Sequence, residues 1–204
     1  MNSFALQTFN GITFAALLFL LASGFTLTFG LMRIVNMAHG AYYLLGGYVG
    51  LTVAKATGSF GWAVLAGGLA AALLGLVSDR VLIRRTGENH LAQVLITVGL
   101  AYVIGDVTIK VWGGDALKLP LPPTLRGVVE LPGGMIYPLY RLLLVVIGVA
   151  VAVMLWLIYR RTQIGAAIRA GVDDKEMVGA VGIHVDRLFV GVSALASFLA
   201  GCSG

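Results

Sequence analysis

Lys, Arg, Asp and Glu are absent from six long stretches of this chain, 1–32, 34–54, 56–78, 89–105, 142–159 and 188–204. Each approaches the length of a membrane-crossing helix, which needs roughly 20 apolar residues, or about 17 at the short end. A soluble fold of 204 residues would not carry six such runs. Backbone groups in lipid must be paired inside a helix or a closed barrel, and a barrel would show short alternating strands instead of solid apolar runs. The pattern therefore predicts an all-α, polytopic transmembrane helical bundle of about six spans, forming a single domain over residues 1–204.

Charge breaks this pattern in one place above all. Residues 160–187 hold nine of the 23 Lys, Arg, Asp and Glu residues of the chain, with acids and bases interleaved at Arg169, Asp173, Asp174, Lys175 and Glu176. A membrane chain that gathers its charge into one loop has built a water-facing surface, and the usual reason is a soluble partner. If this island and the shorter charged loop 79–88 face the cytoplasm, nine basic residues lie on that side: Arg33, Arg80, Arg84, Arg85, Arg160, Arg161, Arg169, Lys175 and Arg187. Lys55, Lys110, Lys118, Arg126 and Arg141 remain on the other. That asymmetry follows the positive-inside bias and places the N-terminus outside. It also accounts for the net charge of +5: the bases flank apolar spans, so a nucleic-acid role is not indicated.

The outer loop, roughly residues 110–140, contains all five prolines and the pairs Gly113-Gly114 and Gly133-Gly134, so it is not helical throughout. Trp112, Tyr137 and Tyr140 at its margins fit an interfacial aromatic belt better than direct ligand contact. Within the spans, Gly67, Ala71 and Gly75 form a stripe of small residues at four-residue spacing, and Gly46 with Gly50 forms a second. Such stripes let two helix backbones approach closely, and packing is preferred here to pore lining.

The second apolar run carries an unusual polar cluster, Arg33-Ile34-Val35-Asn36-Met37-Ala38-His39-Gly40. Polar groups at or inside the membrane boundary are costly and normally face a bundle interior or a cavity. A broken or re-entrant helix here would free backbone groups for Asn36 and His39 to pair with. Capping that break is the ordinary role for both side chains, lining a transport pathway with Gly40 is the second, and catalysis is the least supported. Asn89, His90, Gln93 and Thr97 open the fourth run, with Gln93 and Thr97 four apart on one helix face. They either bond to neighbouring helices or line a polar route.

Neither set holds the partners of a nucleophilic triad, so enzyme chemistry is weakly indicated. The single cysteine, Cys202, cannot form an internal disulfide, and no Cys/His spacing offers a metal site. No GxxxxGK[ST] loop occurs, so the chain lacks that machinery for binding and hydrolysing ATP. The apolar stretch before Ser23 and Gly24 resembles a signal-peptide core, but no Lys or Arg precedes it, and it is read as a retained first span.

Three elements in order resemble the permease subunits of bacterial branched-chain amino-acid ABC importers. They are Asn36-Met37-Ala38-His39-Gly40 followed by Leu44-Leu45-Gly46-Gly47-Tyr48, then the stretch from His90 to Leu100, then the stretch from Thr162 to Ala170 continuing through Asp174, Glu176, Met177 and Gly182. The resemblance runs from about Gly11 to Gly201. It implies that residues 160–187 form a cytoplasmic coupling helix docking on an ATPase subunit, with Gly165, Ala166, Arg169, Asp174, Glu176, Met177 and Gly182 as its docking residues. It further implies a second permease subunit, two ATPase subunits that use the ATP, and a periplasmic binding protein that delivers leucine, isoleucine or valine, or related small amides. This chain itself then binds no cofactor and no metal. Asn36, His39, Gly40, Gln93 and Thr97 become the candidate substrate pathway.

Two departures stand out. Val178 and Gly179 replace the alanines usual after Glu176-Met177, which would loosen the docking helix. Relatives also generally continue for further spans, so the bundle is expected to be incomplete at its C-terminal end. The competing readings are an ion-coupled secondary transporter or channel using Asn36 and His39, a membrane-embedded enzyme using His39, and a non-functional fragment.

Overall fold

The computed structural model describes residues 2–32, 35–87, 89–115, 117, 122, 125–131, 135–173, 175–180 and 184–204. Helices dominate: α1 (Asn2–Met32), α2 (His39–Thr57), α3 (Phe60–Val81), α4 (His90–Trp112), α5 (Leu139–Arg161), α6 (Gln163–Asp173), α7 (Lys175–Ala180) and α8 (Val185–Ser203). A 3-10 turn at Ile83–Thr86 joins α3 to α4. Four stretches, Phe4–Gly30, Phe60–Thr86, His90–Trp112 and Leu139–Arg161, are long and apolar enough to cross a membrane. α2 and α8 also lie largely on charge-free runs but are not among these four, so four of the about six expected spans meet that criterion among the described residues, and the chain is an all-α polytopic membrane bundle.

α2 is less apolar than those four because glycines, tyrosines and His39 occupy much of it. It is nonetheless central, packing on α3, α4 and α8. Its glycines are the reason. A Cβ placed on Gly46 would overlap the backbone of Gly201 in α8, and one on Gly67 of α3 would overlap the Gly46 carbonyl. A Cβ on Gly201 would fall 2.5 Å from Ala71 Cβ and from the Gly67 carbonyl oxygen. Three backbones therefore meet at Gly46, Gly67 and Gly201, as the stripes at 46/50 and 67/71/75 predict for two helices. The third participant, α8, carries its own small residues Ala196, Ala200 and Gly201, of which the two alanines are fully buried. Lower along the same seam Gly75 faces Ser197, and Gly24 of α1 faces the Ala196 carbonyl.

The helix ends sort into two sets. At one, Trp112 closing α4 stacks near Tyr48, and its indole N–H donates to Thr52 Oγ1 of α2 at 2.8 Å. The outer loop contributes a hairpin there, β1 (Val128–Leu131) against β2 (Met135–Pro138), antiparallel with Glu130 opposite Ile136. Sequence reading found the loop but not this hairpin. Its Tyr137 is buried, and its hydroxyl donates to the Phe9 carbonyl at 2.9 Å and meets Thr13 Oγ1 at 2.8 Å. Tyr137 thus pins the hairpin to α1 and is not a belt residue facing lipid headgroups. Arg141 reaches Asn10 from the start of α5. At the other end, Leu27 of α1, Ile168 of α6 and Phe189 and Val192 of α8 form a second apolar cluster.

Candidate functional site

α1 ends at Met32 and α2 starts at His39; of the polar break predicted at 33–40, residues 35–38 are not helical, and Arg33 and Ile34 lie outside the described residues. His39 does not lie beside the end of α1. Its Nε2 donates to the Leu21 carbonyl at 3.1 Å, and Leu21 is about 16 Å back along α1 at ~1.5 Å per residue. The start of α2 therefore lies deep in the bundle, beside Leu21 and Gly24 of α1, as a re-entrant second segment requires. Such a segment exposes backbone donors in an apolar setting, where an unpaired one costs about 1–3 kcal/mol. Two side chains meet the need. Asn36 Oδ1 accepts from Ala38 N at 3.0 Å. Thr97 Oγ1 of α4 accepts from Met37 N at 3.1 Å while donating to the Gln93 carbonyl at 2.8 Å. His39 acts the other way, as a donor, and ties the start of α2 to the Leu21 carbonyl of α1.

Asn36, His39, Gln93 and Thr97 are all buried; hydrogen bonds bring Asn36, His39 and Thr97 to the return between α1 and α2, while Gln93 lies one turn before Thr97 on α4. Gly40 does not join them; it is exposed, and a Cβ there would meet nothing. Gln93 anchors the start of α4 by donating from Nε2 to the Gly87 carbonyl at 2.8 Å. Asn89 caps the same helix, accepting from Ala92 N at 3.1 Å, whereas His90 is exposed. Asn36, His39, Asn89, Gln93 and Thr97 thus each make a structural bond.

The bonds do not exhaust the polar atoms. With Nε2 donating, the His39 imidazole leaves Nδ1 as an acceptor, and Nδ1, the Tyr42 hydroxyl and Gln93 Oε1 are buried with no hydrogen-bond partner among the described residues. Tyr42 is fully buried one helical turn after His39, its ring edge-on to the imidazole at 6.4 Å between centroids. Its hydroxyl comes near Ser78 and Asn36 without the geometry of a bond to either. Sequence reading missed Tyr42. The available signal was its position, three residues after His39 on the same face. Each of these three atoms can accept a hydrogen bond from an N–H or O–H donor.

The charged island forms a separate structure. α6 is amphipathic, with Gly165, Ile168 and Gly171 buried and Gln163, Ile164, Ala166 and Ala170 exposed. Gly165 sits in the α5–α6 corner, where a Cβ would overlap the carbonyls of Ile158 and Tyr159. Arg169 turns back to the same corner, bonding the Tyr159 carbonyl and stacking on its ring at 5.1 Å. These two of the predicted docking residues hold the corner together. Ala166 and Met177 point outward, and Met177 is 66% exposed. The Val178-Gly179 departure leaves α7 helical, with Val178 buried. Glu176 belongs to α7, while Asp174 and Gly182 lie outside the described residues. Ile164, 57% exposed beside Ala166, was not anticipated as part of the outer face.

No solved structure matches the chain. Among curated proteins it is similar to the high-affinity branched-chain amino acid transport system permease protein LivH of Escherichia coli K12, 25% identical over 98% of this chain and 69% of that protein. The corresponding BraD protein of Pseudomonas aeruginosa is 24% identical over 95% of this chain and 68% of its own length. A probable branched-chain amino acid transport permease protein LivH from Methanocaldococcus jannaschii is 25% identical over 95% of this chain and 62% of its own. The family described as branched-chain amino acid transport system / permease component matches residues 7–204. The re-entrant α1–α2 junction, the apolar spans and the surface helices α6 and α7 all fall within that match, and the chain belongs to this family of membrane-spanning permease components.

Proposed function

We propose that the chain is the transmembrane subunit of an ATP-driven importer that moves leucine, isoleucine, valine or related small amides into the cytoplasm. The observation that carries this reading is the family match over residues 7–204. On this reading it is a transporter subunit and not an enzyme, and ATP is hydrolysed by two separate ATPase subunits. A second permease subunit completes the pathway, and a periplasmic binding protein delivers substrate to the end bearing the hairpin and Trp112. The protein sits in the inner membrane with its N-terminus outside, as the distribution of bases favours.

Two regions divide the work. The exposed face of α6 and α7, with Ile164, Ala166 and Met177, supplies an apolar contact for an ATPase groove. Gly165 and Arg169 fix the angle between that face and α5, so movement of the docked helices is passed to the spans. At the α1–α2 junction and the first turn of α4, His39 Nδ1, Tyr42 Oη and Gln93 Oε1 receive the ammonium or amide N–H groups of the substrate as the bundle alternates between inward-open and outward-open states.

Uptake of radiolabelled leucine in cells lacking their own importer, expressing this chain with its partner subunits, tests the reading. Met177→Asp and Ala166→Trp alter the outer face without touching the corner, so both are expected to abolish uptake while membrane insertion is retained. Wild-type uptake indistinguishable from background, or normal uptake in both variants, would overturn the importer or the docking assignment respectively.

A further inference from the structure

Where α3 ends and α8 begins, Arg80, Arg84, Arg187 and Val190 line an open cavity of about 240 Å³. Arg84 is engaged, its Nε donating to buried Asp79 at 3.3 Å. Among the described residues, Arg80 and Arg187 have no ion-pair partner. Among the described ion pairs the three arginines meet one carboxylate, that of Asp79, and Arg84 makes a further interaction besides. Arginines from the last turn of one helix, a 3-10 turn and the first turn of another line this one cavity, and guanidiniums suit a tetrahedral or planar anion.

The setting narrows the anion further. Arg80 and Arg84 fall inside Phe60–Thr86, the stretch of α3 and its turn that is long and apolar enough to cross a membrane, so the cavity sits at the membrane boundary and not beyond it. Leu69, Leu73 and Val77, at four-residue spacing, form an exposed apolar stripe on α3 that leads toward Arg80 and Arg84. A cavity of this size lies below the ~300–1,000 Å³ of ordinary ligand pockets. It takes a headgroup and leaves the rest of the molecule outside.

We propose that Arg80, Arg84 and Arg187 form a binding site for the phosphate of an anionic phospholipid whose acyl chains lie along Leu69, Leu73 and Val77. Basic pockets between span ends are suited to such headgroups, and a zwitterionic lipid would bring its own cation against the arginines. The lipid would bridge α3 to α8, whose close approaches are at Gly67, Gly68 and Gly75, at the end beyond that glycine seam.

The test is native mass spectrometry of the full chain with its partner subunits in mild detergent, titrated with cardiolipin, phosphatidylglycerol or phosphatidylethanolamine. Arg84 is left intact because it also holds Asp79. Preference for the two anionic lipids, weakened about tenfold or more in the Arg80→Gln, Arg187→Gln double variant, supports the site, provided the equally charge-reduced Arg160→Gln, Arg161→Gln control is unaffected. Thermal unfolding without lipid must match wild type in the double variant; if it does not, the Arg80→Lys, Arg187→Lys pair is used, which keeps the charge and is expected to retain most of the anionic preference. Equal binding of phosphatidylethanolamine, equal loss in the control pair, or displacement by inorganic phosphate at millimolar concentration overturns the proposal, the last in favour of a soluble anion. Loss of ATPase subunits from the double variant with lipid binding unchanged would overturn it in favour of a protein partner.

Discussion

α5 and the α2–α3–α8 crossing occupy opposite extremes of the molecule. α5 contains the most apolar of the four spans, yet it is the least buried, with Val146, Val149 and Val153 open to the surroundings. α2 is rich in glycine and tyrosine and is buried on much of its circumference. In a soluble protein the order would be reversed. Lipid tails are as apolar as leucine, so nothing drives α5 inward, whereas close backbone approach and buried hydrogen bonds reward α2 for its small and polar residues. Burial in this chain follows side-chain size and hydrogen-bonding capacity, not apolarity.

The comparison is most easily broken at its centre. Gly46→Leu would force a side chain into the Gly201 backbone, and a loss of stability at the top of the ~1–3 kcal/mol range for overpacking, or above it, is expected. Gly99→Leu and Gly105→Leu in α4, where a Cβ meets nothing, are the matched controls. Thermal unfolding in detergent should separate the two classes, and equal Tm values would mean that the glycine crossing does not hold the bundle.

Next in size is the junction. Asn36→Ala removes the acceptor for Ala38 N and is expected to cost about 1–3 kcal/mol by leaving a buried donor unpaired. Asn36→Asp keeps the acceptor but buries a charge, so it should not rescue stability; recovery in that variant would show that water already reaches the break. Tyr137→Phe, which loses the bonds to Phe9 and Thr13, should cost about 0.5–1.5 kcal/mol, read as faster proteolysis of the hairpin. The smallest effect belongs to α5, where Val149→Ala is expected to change stability by less than about 0.5 kcal/mol. A larger change in the chain assembled with its partner subunits than in the chain alone would mark α5 as an interface in the complex.

Much of the candidate site was legible because its residues break the rules of their surroundings. Asn36, His39, Gln93 and Thr97 are polar groups in apolar runs, and each proved buried with a specific bond. Tyr42 escaped notice because a tyrosine in a span is unremarkable until its hydroxyl is seen to be enclosed and unpaired. Gly40 was grouped with its neighbours by adjacency alone, but at the first turn of α2 it points away from them. In the island, charge and family pattern identified the segment but could not separate residues that face a partner from those that hold the corner; Gly165 and Arg169 belong to the second kind.

The sequence by itself determined where the spans lie, where the second apolar run must break, and which loops collect the bases, because each follows from the cost of placing charge or an unpaired backbone group in lipid. Only the tertiary structure decided which helix faces meet, that α8 supplies the third backbone at Gly201, and that the start of α2 lies as deep as Leu21 of α1. The reason is that a span is apolar on every side, so lipid-facing and protein-facing surfaces leave no difference in the pattern from which a partner could be read.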